Sequence, residues 1–297
     1  MYFDPAQTID RLLARDPQDS GRILPIDSRQ HELTARYIVP ALPQLEAEFL
    51  AIRDVIDVKL HRQFEEASAA GVTGVGPYPK GCCLQITLTA FSEFLSRNTV
   101  STSPAGAAVK AFRDAGGHVT PVWGVLRNQY FQNALQFGSM YFDCANDTVV
   151  VTKPKVEYLP MAESGFKNIE SWEEFADVAE RYWHCRIYPN LHFPMLAPLL
   201  PVISVSDEGV LSLQNISYYM QRLNLESEFR ASETFITRGP WRSRQLPAEW
   251  LDRIARYKGE HLSRDVTTPR EGASMRQRCH GCALNIARVP RMRRARS

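Results

Sequence analysis

The sequence predicts an α+β fold: a helical N-terminal part, a central helix packed on a mostly antiparallel sheet, and a disordered basic C-terminal tail. Three observations carry this prediction. Leu45, Phe49, Ile52, Ile56, Leu60 and Phe64 recur at helical spacing. After Gly117, β-branched, aromatic and aliphatic residues crowd into short runs. From Arg264 onward the chain is rich in arginine, short of large apolar residues and without periodicity.

The elements follow in order. Asp4-Pro5 sets an N-cap before a proline at the first helical position, and Ile9, Leu12 and Leu13 form a short apolar stripe behind it. The stripe from Leu45 to Phe64 predicts a long helix over 43–70, stopped by Gly71 and followed by a loop with Gly74, Gly76 and Pro77. Leu84, Leu88, Phe91 and Leu95 predict a helix ending near Arg97-Asn98, with these four residues as its buried face. Ser103-Pro104 caps the next helix, which runs to Gly116-Gly117.

A strand begins at His118 with Val119, Val122, Trp123, Val125 and Leu126, and Pro121 within it suits a sheet edge. Residues 130–137 read as one or two helical turns closed by Gly138. Residues 140–144 and 148–152 read as a β-hairpin around Ala145-Asn146-Asp147. Ser171 with Glu174 makes a capping box for a helix ending near Trp183. Strands flank the Asp207-Glu208-Gly209 turn, and helices are expected over 216–229 and 247–261. This organisation gives one α+β domain over 1–263, with a candidate subdomain boundary near 163, and a tail over 264–297.

Composition narrows the functional classes. A chain of 297 residues, 44% hydrophobic and 23% charged, is long enough to bury a substantial core. The longest apolar stretch, 193–205, is broken by Pro194, Pro198 and Pro201 and falls short of the ~20 residues a membrane span needs. It reads as a buried strand and turn. Residues 1–13 offer no apolar signal-peptide core, and six scattered or adjacent cysteines do not form a secreted disulfide framework. A cytoplasmic setting with reduced thiols is expected.

Nine arginines and no lysine from Arg264 onward face only Asp265 and Glu271, which leaves the body mildly acidic. The tail suits weak, non-specific polyanion contact rather than a folded nucleic-acid surface.

The residues that suggest chemistry begin at Cys83. It stands between Gly81 and the first residues of a predicted helix, where unpaired N–H groups and the helix dipole favour a thiolate and can hold an oxyanion. A thiol nucleophile needs a base, and the base needs an acceptor that orients it. His118, at the start of the predicted strand, supplies the base. Asp143, at the end of a later strand, supplies the acceptor, and Asn146 is an alternative to it.

The run Tyr78-Pro79-Lys80-Gly81-Cys82-Cys83, followed by His118 and Asp143, resembles the transglutaminase-like branch of the papain-like cysteine enzymes over 78–152, about a quarter of the chain. The resemblance implies Cys83 as nucleophile, His118 as base and Asp143 as orienting acid. The expected activity is cleavage or transfer of an amide or acyl group through a thioester, with a peptide or small amide or acyl substrate and no cofactor. Two other classes stand beside it: a non-enzymatic binding or regulatory protein, and a metal-dependent oxygenase assembled from His61, Glu65, His184 and His192.

Other site patterns are weak. Cys279-His280-Gly281-Cys282 is a single Cys-x-x-Cys with no second pair, so no zinc site is expected. No phosphate-binding glycine loop and no Gly-x-Ser-x-Gly elbow occur.

Overall fold

Helices α1 (Ser28–Leu33), α2 (Leu42–Ala69), α3 (Cys83–Val100) and α4 (Pro104–Asp114) precede the first strand. The structure, a computed structural model, describes residues 21–70, 77–194, 196–214, 218–261 and 292–293. The expected helix at Asp4-Pro5, the glycines 71, 74 and 76, Cys279 and Cys282 lie outside the described residues. So does the 264–297 tail, apart from Met292–Arg293.

The chain divides into two compact units, one being Gly21–Asn168 and the other containing Ile169 onward. In the first, α2 is the long helix its stripe predicts. Leu45, Phe49, Ile52, Ile56 and Leu60 are buried, and so is Arg53 beside them. Asp27 caps α1 by accepting from the Gln30 N–H, and Ser103 caps α4 by accepting from Gly106.

A five-stranded antiparallel sheet follows, built from β1 (Val119–Leu126), β2 (Tyr130–Phe137), β3 (Met140–Asp143), β4 (Glu157–Pro160) and β5 (Phe166–Lys167), in the order β4-β3-β2-β1-β5. One core joins α2, α3 and α4 to one face of this sheet. It contains Phe49, Phe94 and Phe112 from the helices and Leu135, Phe137, Met140 and Phe142 from the strands.

Three sequence expectations are corrected here. Residues 130–137 form a strand, paired with β1 from Leu126↔Tyr130 to Val119↔Phe137. Ala134, Leu135 and the two glutamines are good helix formers, but the tight turn at Arg127-Asn128, with φ of 52° and 55°, folds the chain back on β1. Pairing and burial override local preference. The partner of β3 is Glu157–Pro160, not 148–152, because a 3-10 turn at Asn146–Thr148 intervenes.

The buried face of α3 consists of Cys83, Ile86, Thr87, Ala90 and Phe94, whereas Leu84 and Leu88 are 47% exposed. The apolar stripe read from the sequence is thus rotated from the true one. Pro121 pairs across β2, and β5 reaches β1 only at Val125 and Leu126, so the proline's other side carries no ladder bond to β5.

The second unit holds α6 (Trp172–Trp183), after the short α5 (Met161–Ser164) of the first. Ser171 accepts from the Glu174 N–H, and Glu174 reaches back to the Glu170 N–H. Strands β6 (Cys185–Pro189), β7 (Val202–Ser206) and β8 (Val210–Leu213) form an antiparallel sheet, and β9 (Met292–Arg293) pairs with β8.

Helices α7 (Tyr218–Glu226), α8 (Arg230–Thr237) and α9 (Ala248–His261) complete the unit, α8 being absent from the sequence reading. Phe193, Leu196, Ile203, Trp250 and Ile254 share its core. Among the described residues, no helix is long and apolar enough to cross a membrane.

Candidate thiol site

The approach to Cys83 is a tight loop. The Tyr78-Pro79 bond is cis, Lys80 N–H donates to Pro77, and Cys82 N–H donates to Pro79. Gly81 turns at φ 72°, which a side chain would resist, and its N–H donates to the Thr148 carbonyl at 3.0 Å. This bond ties the loop to the segment after β3.

Arg53 holds the same region from below. Fully buried, it donates from Nε to Asp57 (2.7 Å), from Nη1 to the Cys144 carbonyl (2.6 Å) and from both Nη atoms to Asp147 (3.0 and 2.9 Å). Asp57 also accepts from the Tyr78 hydroxyl at 2.5 Å and pairs with Lys155 at 2.9 Å. Burial pushes the Asp57 carboxyl up, but hydrogen bonds from Arg53, Tyr78 and Lys155 outweigh it and hold the group below the usual carboxylate range. An arginine on the apolar face of α2, four residues before an aspartate, was the available sequence signal for this network.

Cys83 is the first residue of α3, as its sequence context predicts. Its Sγ accepts from Asn133 Nδ2 at 3.3 Å. Thr87, one turn along, donates to the Asn133 carbonyl at 3.1 Å and fastens α3 to β2. Burial raises the Cys83 thiol pKa, and the Asn133 hydrogen bond offsets only part of that rise. Cys82 is pushed up to about 11, chiefly by burial, and its Sγ lies against the Lys80 carbonyl.

Asp143 ends β3, but on the other face of the sheet. Its neighbours Phe142 and Cys144 face the helix-side core, and strand alternation turns Asp143 away from it. Asp143 Oδ2 accepts from Gln132 Nε2 (2.6 Å) and the Tyr141 hydroxyl (3.0 Å), while Oδ1 accepts from the Ala145 N–H (2.7 Å). Fully buried, its carboxyl is pushed up to about 6 by desolvation. Gln132 Oε1 and His118 Nδ1 are buried without a hydrogen-bond partner.

His118 precedes β1. Its N–H donates to Gln30 and its carbonyl accepts from Gly138. On β1 the residue opposite Asn133 is Trp123, which puts His118 five residues away along the strand, roughly 17 Å at strand rise. The structure therefore brings Asn133, not His118, to the Cys83 sulfur, and holds Asp143 one strand over on the reverse face. Asn146 Nδ2 donates to the Pro154 carbonyl, and its Oδ1, the atom that would accept from an imidazole, is buried without a hydrogen-bond partner.

Asn133 was not singled out in the sequence because 130–137 did not read as a strand. A strand there would have set alternate residues, Asn133 among them, toward α3.

The metal reading finds no centre. His61 pairs with Glu65 at 3.4 Å on an exposed helix face, and His184 is the left-handed C-cap of α6. Among the described residues, no group of three or more His, Cys, Asp or Glu side chains is placed to hold a metal ion. Compared with known proteins, the chain matches no family model, no curated protein and no solved structure.

Proposed function

We propose that Gly21–Asn168 is a non-catalytic binding unit built on a helix-on-sheet layout of the thiol-enzyme kind. One observation carries this reading: the side chain at Cys83 Sγ is the Asn133 amide. An amide donates a hydrogen bond but cannot take a proton near neutral pH, so among the described residues no base stands at the thiol. Its raised pKa adds to the same conclusion, since the thiolate is the nucleophile. The four described cysteines, Cys82, Cys83, Cys144 and Cys185, are unbridged and buried, which suits a reducing, cytoplasmic setting.

A second reading keeps the thiol nucleophile. Cys83 would attack the carbonyl of an amide or acyl substrate, with His118 as base and Asp143 as its partner. Its support is the position of Cys83 at the start of an 18-residue helix, with a donor on its sulfur. It requires His118 to approach from the far end of β1.

Alkylation of the folded protein with mass-spectrometric mapping separates the two. The binding reading expects Cys83 to label more slowly than a free cysteine at neutral pH, because burial both raises its pKa and shields its sulfur. It also expects no covalent adduct with an activated acyl ester. Rapid labelling at Cys83 that slows in His118→Ala, or an acyl-thioester at Cys83, overturns it in favour of the nucleophile.

A further inference from the structure

A cleft of about 610 Å³ opens beside α5 in the first unit, away from Cys83. It lies on the face of the sheet opposite the helices. Met140 and Phe142 point into the helix-side core, so Tyr141 between them turns the other way, and Phe166 rests on its ring. Phe166 lines the cleft together with Ile26, Pro160 and Met161. The volume lies within the range of small-molecule sites, which are typically apolar with a few placed polar groups.

The cleft's strong charges are already engaged or turned away. Arg127 Nη2 donates to Glu157 at 2.8 Å, and Lys167, next to Phe166 on β5, alternates to the opposite face of the sheet. No carboxylate is among the lining residues, so nothing there favours a cation. The polar groups left to a ligand are the Ser139 hydroxyl and the His31 imidazole, which have no hydrogen-bond partner among the described residues. Ser139 is only 8% exposed, and its backbone is fully held. Its N–H donates to Thr34 Oγ1 at 3.0 Å, and its carbonyl accepts from the Met161 N–H at 2.8 Å. Thr34 opens a π-helical turn over Thr34–Ile38, a distortion found often beside functional sites, and His31 stands one turn before it. The hydroxyl is thus a fixed polar point at one end of an apolar wall.

We infer that this cleft takes a small uncharged aromatic ligand bearing an amide or hydroxyl group. The ring lies against Met161 and Phe166, and the polar group meets Ser139. A methionine sulfur and a ring edge both attract an aromatic ring. A serine hydroxyl donates and accepts, which matches an amide or a hydroxyl on the ligand. A charged ligand would lose its hydration without a free counter-charge to replace it, whereas a neutral one loses little. This inference names the ligand class for the binding reading and rests on it, yet it uses none of the residues around Cys83, so the two fail separately.

Ligand-observed NMR titration of the full chain with benzamide, benzoate and acetamide tests it. Benzamide is expected to bind saturably, several-fold more tightly than benzoate, which has its shape with a charge, and than acetamide, which lacks the ring. Ser139→Ala should weaken benzamide several-fold, the scale of one neutral hydrogen bond. Met161→Ala should weaken it as well. Glu157→Gln, which frees Arg127, should tighten benzoate and leave benzamide unchanged. Melting temperatures near wild type establish that the variants fold, and Ser139→Ala, which keeps both backbone bonds, is the deciding one. No saturable benzamide binding, benzoate binding as tightly to the wild type, or benzamide affinity unchanged in Ser139→Ala overturns the inference.

Discussion

Asn133 and Asp143 differ from the residues around them in what burial costs. Asn133 is neutral and half-satisfied by the sulfur of Cys83, so placing it under α3 carries little electrostatic penalty. Asp143 is an acid in a desolvated site, and its three donors only partly offset burial, which leaves it near 6. A raised acid pKa makes the folded state bind its proton more tightly than the unfolded chain does. The stability it lends is therefore complete below the unfolded value of 3.8 and is lost as pH rises through about 6. The loss amounts to about 3 kcal/mol. Urea unfolding at steps from pH 4 to pH 7.5 should show this decline, and Asp143→Asn should flatten it. Asp57 acts in a separate, lower window. Held below the usual range, it supports the fold above its unfolded pKa and withdraws that support as the medium becomes more acidic. A wild-type profile that is level between pH 4 and 7.5 would show that Asp143 stays ionised at little cost.

Elements whose burial follows one clear period were legible in the sequence, and those bent by a partner were not. The stripe of α2 and the caps of α4 and α6 stand where local chemistry puts them. In β2 the chain follows the Arg127-Asn128 turn and its eight paired residues against the grain of its own composition. On α3 the side chains of Cys83, Thr87 and Ala90 are small, and the sheet packs against them closely. Larger Leu84 and Leu88 therefore point outward, reversing the reading by size alone. Cys83 at a helix start was legible, but its partner was not, because that depended on recognising β2.

Arg53 is the element-scale hinge pin, joining α2 to the loop after β3 and, through Asp57, to Tyr78. Arg53→Met would leave the buried Asp147 without its ion-pair partner and the half-buried Asp57 with only Tyr78 and Lys155, a loss on the order of 3–5 kcal/mol. Chemical denaturation measures it. Replacing Asp57 and Asp147 with Asn in the same variant should recover part of the loss, because the stranded charges are then removed. A double replacement that recovers nothing would mean that lost packing of the guanidinium, not unpaired charge, accounts for the effect.

At the scale of the whole molecule, the two units each contain what an independent fold requires. The core of the first runs from Ile38 to Val156, all within Gly21–Asn168, with its own sheet and three packed helices. The core of the second runs from Phe193 to Ile254. The reverse face of the first sheet also has cover from its own unit. Leu24 exchanges hydrogen bonds with Gln136, and Phe166 rests against the Tyr141 ring at 5.3 Å between centroids. The sequence offered only a candidate boundary near 163 with no linker to mark it, because position 168 lies between β5 and α6 without the proline, glycine or charge bias of a linker. A chain of 148 residues from Gly21 to Asn168 is within the size at which one hydrophobic core sustains a domain. Expressed alone, residues 21–168 should unfold in one cooperative transition and give dispersed amide resonances. The Cys83–Asn133 contact lies inside it, so Cys83 should stay slow to alkylate. A non-cooperative melt, or rapid labelling of all three of its cysteines, would mean that the first unit depends on the rest of the chain to close its core.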